Sequence, residues 1–131
     1  MSTEKPKDKD FFSIVESDKG GYCPVYDYES WRIAITNDDP SFRKENLKSF
    51  GKHLETDEAF ILLEGEASLL LGDGDEEIGT ITEHPLEKGK VFVVKKGTWH
   101  ANITGESAKV LIVENRNTGA ANTVKKPYFP I

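Results

Sequence analysis

The stretch His53-Leu-Glu-Thr-Asp-Glu58-Ala-Phe-Ile-Leu-Leu-Glu-Gly65-Glu-Ala-Ser-Leu-Leu-Leu-Gly72 holds two short apolar runs, punctuated by Gly65 and closed by Asp73-Gly74-Asp75. Runs of this length bounded by glycine and acidic turn residues read as buried β-strands, and their closeness in sequence predicts that they pair antiparallel. Side chains alternate along a strand, so Glu58 shares a face with Phe60 and Leu62. An inward Glu58 therefore stands among apolar side chains, where a lone carboxylate is costly without a cation or a donor.

The same style continues on both sides. Upstream, residues 31–36 alternate Trp31, Ile33 and Ile35 against Arg32, Ala34 and Thr36, a half-buried strand that ends at Asn37-Asp38-Asp39-Pro40. Residues 42–47 read as a loop or one short helix, for which Pro40 suits the first turn. Downstream, residues 79–83, 91–94, 99–103 and 109–114 read as strands separated by glycine-bearing turns. Short strands every ten residues or so, with no long amphipathic helix, predict an all-β single domain: a jelly-roll barrel of two packed antiparallel sheets. Its expected core includes Phe60, Leu62, Leu69, Leu71, Phe92, Val94, Val110 and Ile112.

With 131 residues and 37% hydrophobic composition, the chain suits one compact core. Residues 1–10 alternate lysine with acidic residues and read as a flexible lead-in, leaving 11–131 as the barrel domain with an extended tail. No apolar run approaches the roughly 20 residues that span a bilayer, and the lead-in has no apolar segment, which predicts a soluble, cytoplasmic protein. A single cysteine, Cys23, excludes an internal disulfide, and no cationic neighbour activates it. A formal net charge of −6 argues against a nucleic-acid partner.

Of three histidines, His53, His84 and His100, two stand where chemistry is expected. His53 precedes Glu58 by five residues, and His100 opens a strand after the Gly97 turn. Two imidazoles and a carboxylate from different strands, aimed into one barrel, form a donor set suited to Zn, Fe, Mn or Ni. His53 and Glu58 have opposite parity, so a turn or bulge at Thr56-Asp57 must re-aim one of them. If His100 faces inward, Trp99 faces outward. His84, in a Glu-His-Pro-Leu segment read as a loop, is expected to be exposed and uninvolved.

These residues resemble the cupin family, whose motifs are G-x5-H-x-H-x3,4-E-x6-G and G-x5-P-x-G-x2-H-x3-N. His53, Glu58 and Gly65 fall on the first, and Gly89, Gly97 and His100 on the second, six positions of ten. Glu45, Gly51, Lys95 and Thr104 stand where the family has glycine, histidine, proline and asparagine. The resemblance implies a jelly-roll barrel and a small-molecule site at which His53, Glu58 and His100 hold a divalent metal ion, with Gly51 in place of the fourth ligand; a homodimer is expected because a small sandwich has strand edges to cover, for which residues 11–15 and 128–131 offer apolar material. Isomerases, lyases, decarboxylases and dioxygenases all occur in such families, so a metal-dependent reaction on a small polar metabolite is one expectation. A metal-free ligand-binding or sensor module is the other, and a structural dimerisation domain a third.

Overall fold

The computed structural model of the chain describes residues 11–119 and 121–129; the lead-in read over residues 1–10 lies outside them, as do Ala120, Pro130 and Ile131. The described residues contain β1 (Gly21–Tyr28), β2 (Trp31–Asn37), β3 (Ser49–His53), β4 (Glu58–Glu64), β5 (Ala67–Gly72), β6 (Ile81–Pro85), β7 (Val91–Val94), β8 (Trp99–Thr104), β9 (Lys109–Asn115) and β10 (Thr123–Pro127). They form two five-stranded sheets, ordered β1-β2-β9-β4-β7 and β10-β3-β8-β5-β6, with antiparallel neighbours throughout. This is the double-sheet barrel that strand length and spacing predict. Among the described residues no helix is long and apolar enough to cross a membrane.

The two central runs form β4 and β5, but they do not pair. β4 lies between β9 and β7 in one sheet, and β5 between β8 and β6 in the other. Gly65 supplies the reason: its φ is +69°, and a Cβ there would lie 2.3 Å from the Ser107 backbone. A left-handed residue packed against the neighbouring loop turns the chain out of one sheet and into the facing one.

In β2 the expected alternation breaks down, because Ile35 is buried between Ala34 and Thr36. Ala34 and Thr36 are fully buried, whereas Trp31 is 40% exposed. Small Ala34 sits in the rung of Ile112 and Phe60, so the larger side chains of β9 and β4 fill the space between the sheets. Leu62, Leu69, Val94 and Val110 join them in that core, whereas Leu71 and Phe92, also expected there, are only partly buried against it. A second cluster, Phe50, Leu70, Trp99, Ala101 and Ile103, is covered by Leu47, Ile78, Ile81 and Tyr128. Trp99 and His100 thus lie on opposite faces of β8, as parity requires, and both are buried.

Three strands carry little apolar signal and escape a sequence reading: β1, β3 and β10. The strand expected at 79–83 is β6, shifted toward the C-terminus, so His84 stands on an edge strand instead of in a loop. Pro85 is tolerated there because an edge strand leaves one side unpaired. The 42–47 region holds two single turns of 3-10 helix, Pro40–Phe42 and Lys44–Asn46, the first capped by Asp39 accepting from the Ser41 N–H.

Candidate metal centre

His53 is the last residue of β3 in one sheet, and Glu58 the first of β4 in the other. The chain crosses between sheets over residues 54–57, and this crossing, instead of a bulge, reconciles their opposite parity. Two bonds to the turn before β8 hold the crossing: Gly97 N–H donates to the His53 carbonyl at 2.7 Å, and Lys96 N–H to Asp57 Oδ1 at 2.8 Å. The same turn, with Gly97 at φ +79°, launches β8 and His100.

The structure brings the three sequence-predicted residues together. His53 Nε2 lies 2.8 Å and His100 Nε2 3.1 Å from the same Glu58 Oε1, and one ligand atom from each residue lies within 4.8 Å of the others. His100 and Glu58 are buried, and His53 is partly so. His84 is elsewhere, exposed, its Nε2 2.8 Å from Thr82 Oγ1. Cys23 is a free thiol whose Sγ contacts the Pro24 carbonyl at 3.7 Å.

The remaining ring nitrogens settle the tautomers. Thr123 Oγ1 donates its proton to the Thr118 carbonyl at 2.7 Å, so toward His53 Nδ1, 2.8 Å away, it accepts. His100 Nδ1 faces the Thr98 carbonyl at 3.0 Å, which also only accepts. Both Nδ1 atoms therefore carry a proton, so each Nε2 donates to Glu58 when its ring is protonated and presents a lone pair when the ring is neutral. With neutral rings, two lone pairs and a carboxylate oxygen converge on one place, a donor set that fits a divalent metal ion.

Carboxylates shape the field around it. Burial alone would raise the Glu58 carboxyl, but hydrogen bonds with His100, His53 and Glu114 outweigh it and hold Glu58 below the usual carboxylate range. Glu114, its cross-strand partner, is pushed up to about 7 by burial and by Glu58. The Tyr22 hydroxyl donates to Glu114 Oε2 and is itself raised by burial and by that carboxylate. Sequence reasoning did not single out Glu114, although its inward parity with Val110 and Ile112 marks it. Tyr22 and Thr123 left no such signal.

The site opens on a cavity of about 560 Å³ whose walls include Arg32, Phe42, Phe60, Asn102 and Ile112. Gly51, opposite His100 on β3, also faces it, and a Cβ there would meet only Thr123 Cγ2 at 3.9 Å and the Val124 carbonyl at 4.0 Å. Thr104 is buried, donating to Asp38 Oδ1 at 2.8 Å.

The arrangement of two packed five-stranded sheets has counterparts among solved structures. An RmlC-like cupin family protein with a double-stranded β-helix fold from Methanocaldococcus jannaschii superposes with a TM-score of 0.56 over 79% of this chain and 90% of its own, at 14% identity. The chain has the cupin fold. An RmlC-like cupin protein from Desulfovibrio desulfuricans matches with a TM-score of 0.54 at 20% identity, covering 88% of this chain and 96% of that one. HppE in its Fe(II) form matches with a TM-score of 0.53 at 20% identity over 72% of this chain but only 48% of its own. No protein-family profile and no curated protein sequence matches the chain. At these identities the likeness is one of cupin architecture, so the chemistry has to be argued from the residues.

Proposed function

We propose that this cupin-fold chain binds a small polar metabolite at a divalent-metal centre held by His53, Glu58 and His100, and acts on it as a metal-dependent enzyme. One observation carries the reading: each imidazole turns Nδ1 to a fixed oxygen acceptor and Nε2 to the same Glu58 Oε1, so neutral rings offer both Nε2 lone pairs at one point. Zn, Fe, Mn and Ni are all compatible with two imidazoles and one carboxylate. Such an ion, when bound, supplies Lewis acidity toward a ligand oxygen. The chain's own contribution is to line the site with Phe60 and Ile112 and to place beside Glu58 the Glu114 carboxyl, pushed up to about 7 and accepting from the Tyr22 hydroxyl. The Fe(II) form of HppE, which shares the fold, is consistent with this reading.

Gly51 favours the alternative of a metal-free ligand-binding module, since it leaves three protein ligands instead of four. Three are chemically sufficient for catalytic sites. Thermal unfolding with added zinc or manganese separates the two readings. A site binding only the folded chain adds about 2.7 kcal/mol when free ion is 100 times the dissociation constant. His53→Ala and His100→Ala should each abolish the shift, and His84→Ala should keep it. An unchanged shift in both site variants, or none in the parent, would leave the metal-free module as the better account.

A further inference from the structure

Three polar atoms have no hydrogen-bond partner among the described residues although they are sealed from solvent: Thr36 Oγ1, Asn102 Nδ2 and Asn102 Oδ1. Both residues line the cavity that holds His53, Glu58 and His100. Asn102 is two residues beyond His100 on β8, hence on the same face and about 6.6 Å further along the strand. Thr36, fully buried, enters from the facing sheet in the rung of Val110 and Leu62.

Neither residue is explained by the fold. A buried donor or acceptor left unpaired destabilises the folded chain, and an apolar residue of similar size would remove that cost at either position. A leucine at 102 would pack beside Leu69, its cross-strand partner, and valine would replace threonine nearly atom for atom. What an asparagine offers instead is an N–H donor and a carbonyl acceptor side by side, and the complement of that edge is another amide. The cavity also has apolar lining from Phe42, Phe60 and Ile112. Three cations line the cavity: Arg32 and Arg116 are paired with Asp27, whereas exposed Lys125, in the rung of Gly51 and His100, has no ion pair among the described residues.

We infer that Asn102, assisted by Thr36, determines specificity by holding the amide edge of a small amide-bearing carboxylic acid whose carboxylate lies toward Lys125. The inference rests on the cavity being a ligand site and deepens that reading by naming the ligand's class. Orphaned polar groups of this kind reject analogues that cannot pair with them, which is the basis of the test.

Calorimetric titration of the full chain with succinamate, levulinate and succinate compares three acids that differ only in the group at one end: an amide, a methyl ketone and a second carboxylate. Succinamate should bind at least tenfold more tightly than either of the others. Asn102→Leu should bring it down to the level of levulinate while raising the melting temperature of the unliganded protein, a combination that a structural asparagine would not give. Thr36→Val, which exchanges a hydroxyl for a methyl, should also narrow the preference and carries the test if the first variant fails to fold. Equal binding of the three acids, no binding of any, or an undiminished preference in the folded variants overturns the assignment and leaves these atoms to water. The zinc-induced thermal shift is measured on the same variants. Its survival in Asn102→Leu separates failure of the amide assignment from failure of the metal centre, and an amide preference without any metal shift would sink the metal centre alone.

Discussion

Thr123 decides which nitrogen His53 turns toward Glu58, because its hydroxyl proton is committed to the Thr118 carbonyl. Replacing it by valine removes the acceptor while keeping the shape, and partners of this kind tune metal affinity about 10- to 100-fold. Thr123→Val should therefore lose affinity within that range in a chelator-competition titration, with its urea midpoint nearly unchanged; equal affinity would mean that the ring needs no such orientation. Gly51→His offers the opposite change, since the inner face beside His100 is open at that position. A fourth donor should slow metal loss to a chelator, which stopped-flow release would measure. The three central residues were legible because their spacing matches a motif whose geometry is fixed by turns. Thr123 and Asn102 were not, because their roles arise from strands that meet only after folding. No local pattern distinguishes a threonine that orients a ring from one on a solvated edge.

At the level of elements, Arg32, Glu114, Glu58 and Val94 form one rung across β2, β9, β4 and β7. Ionisation of that rung gives stability two opposite slopes in the metal-free protein. Glu114 titrates at about 7 in the folded chain, above its unfolded value, so its contribution is complete at acid pH and is lost as pH rises through about 7. Glu58 is held below the usual range, so its contribution is present at neutral pH and is lost as pH falls below about 4.3. Urea unfolding at a series of pH values should give a maximum on the acid side of neutrality, and Glu114→Gln should flatten the upper slope; a variant as pH-dependent as the parent would contradict the coupling. Packing is the other element-scale quantity. Phe60 is buried between the sheets, and Phe60→Ala should cost on the order of 3 to 5 kcal/mol. Strand positions were readable for β2, β4, β5, β7, β8 and β9, whose apolar runs are bounded by turns. The partnering of β4 and β5 was not, because a glycine that closes a hairpin and one that crosses between sheets look alike until the loop at Ser107 packs on it.

For the whole molecule, the outer face of the first sheet stays apolar: Tyr28, Trp31 and Val113 are exposed there, and Phe11, Phe12 and Val15 border the same region around Tyr26 and Ile33. A contiguous apolar face of this kind suits a second copy of the chain, and light scattering at micromolar concentration should give a homodimer that Trp31→Glu weakens. A monomer for the parent would leave that face without its expected cover. The C-terminal strand is instead part of the fold, with β10 paired to β3 and the Tyr128 ring 5.2 Å from Phe50. It also carries Thr123 to His53. The metal centre is tested most directly by diffraction from zinc- or manganese-loaded crystals on either side of the metal absorption edge. The geometry predicts one anomalous peak about 2.0 to 2.2 Å from His53 Nε2, His100 Nε2 and a Glu58 carboxylate oxygen; a peak only elsewhere, or both imidazoles still hydrogen-bonded to Glu58 with no ion between them, would contradict it.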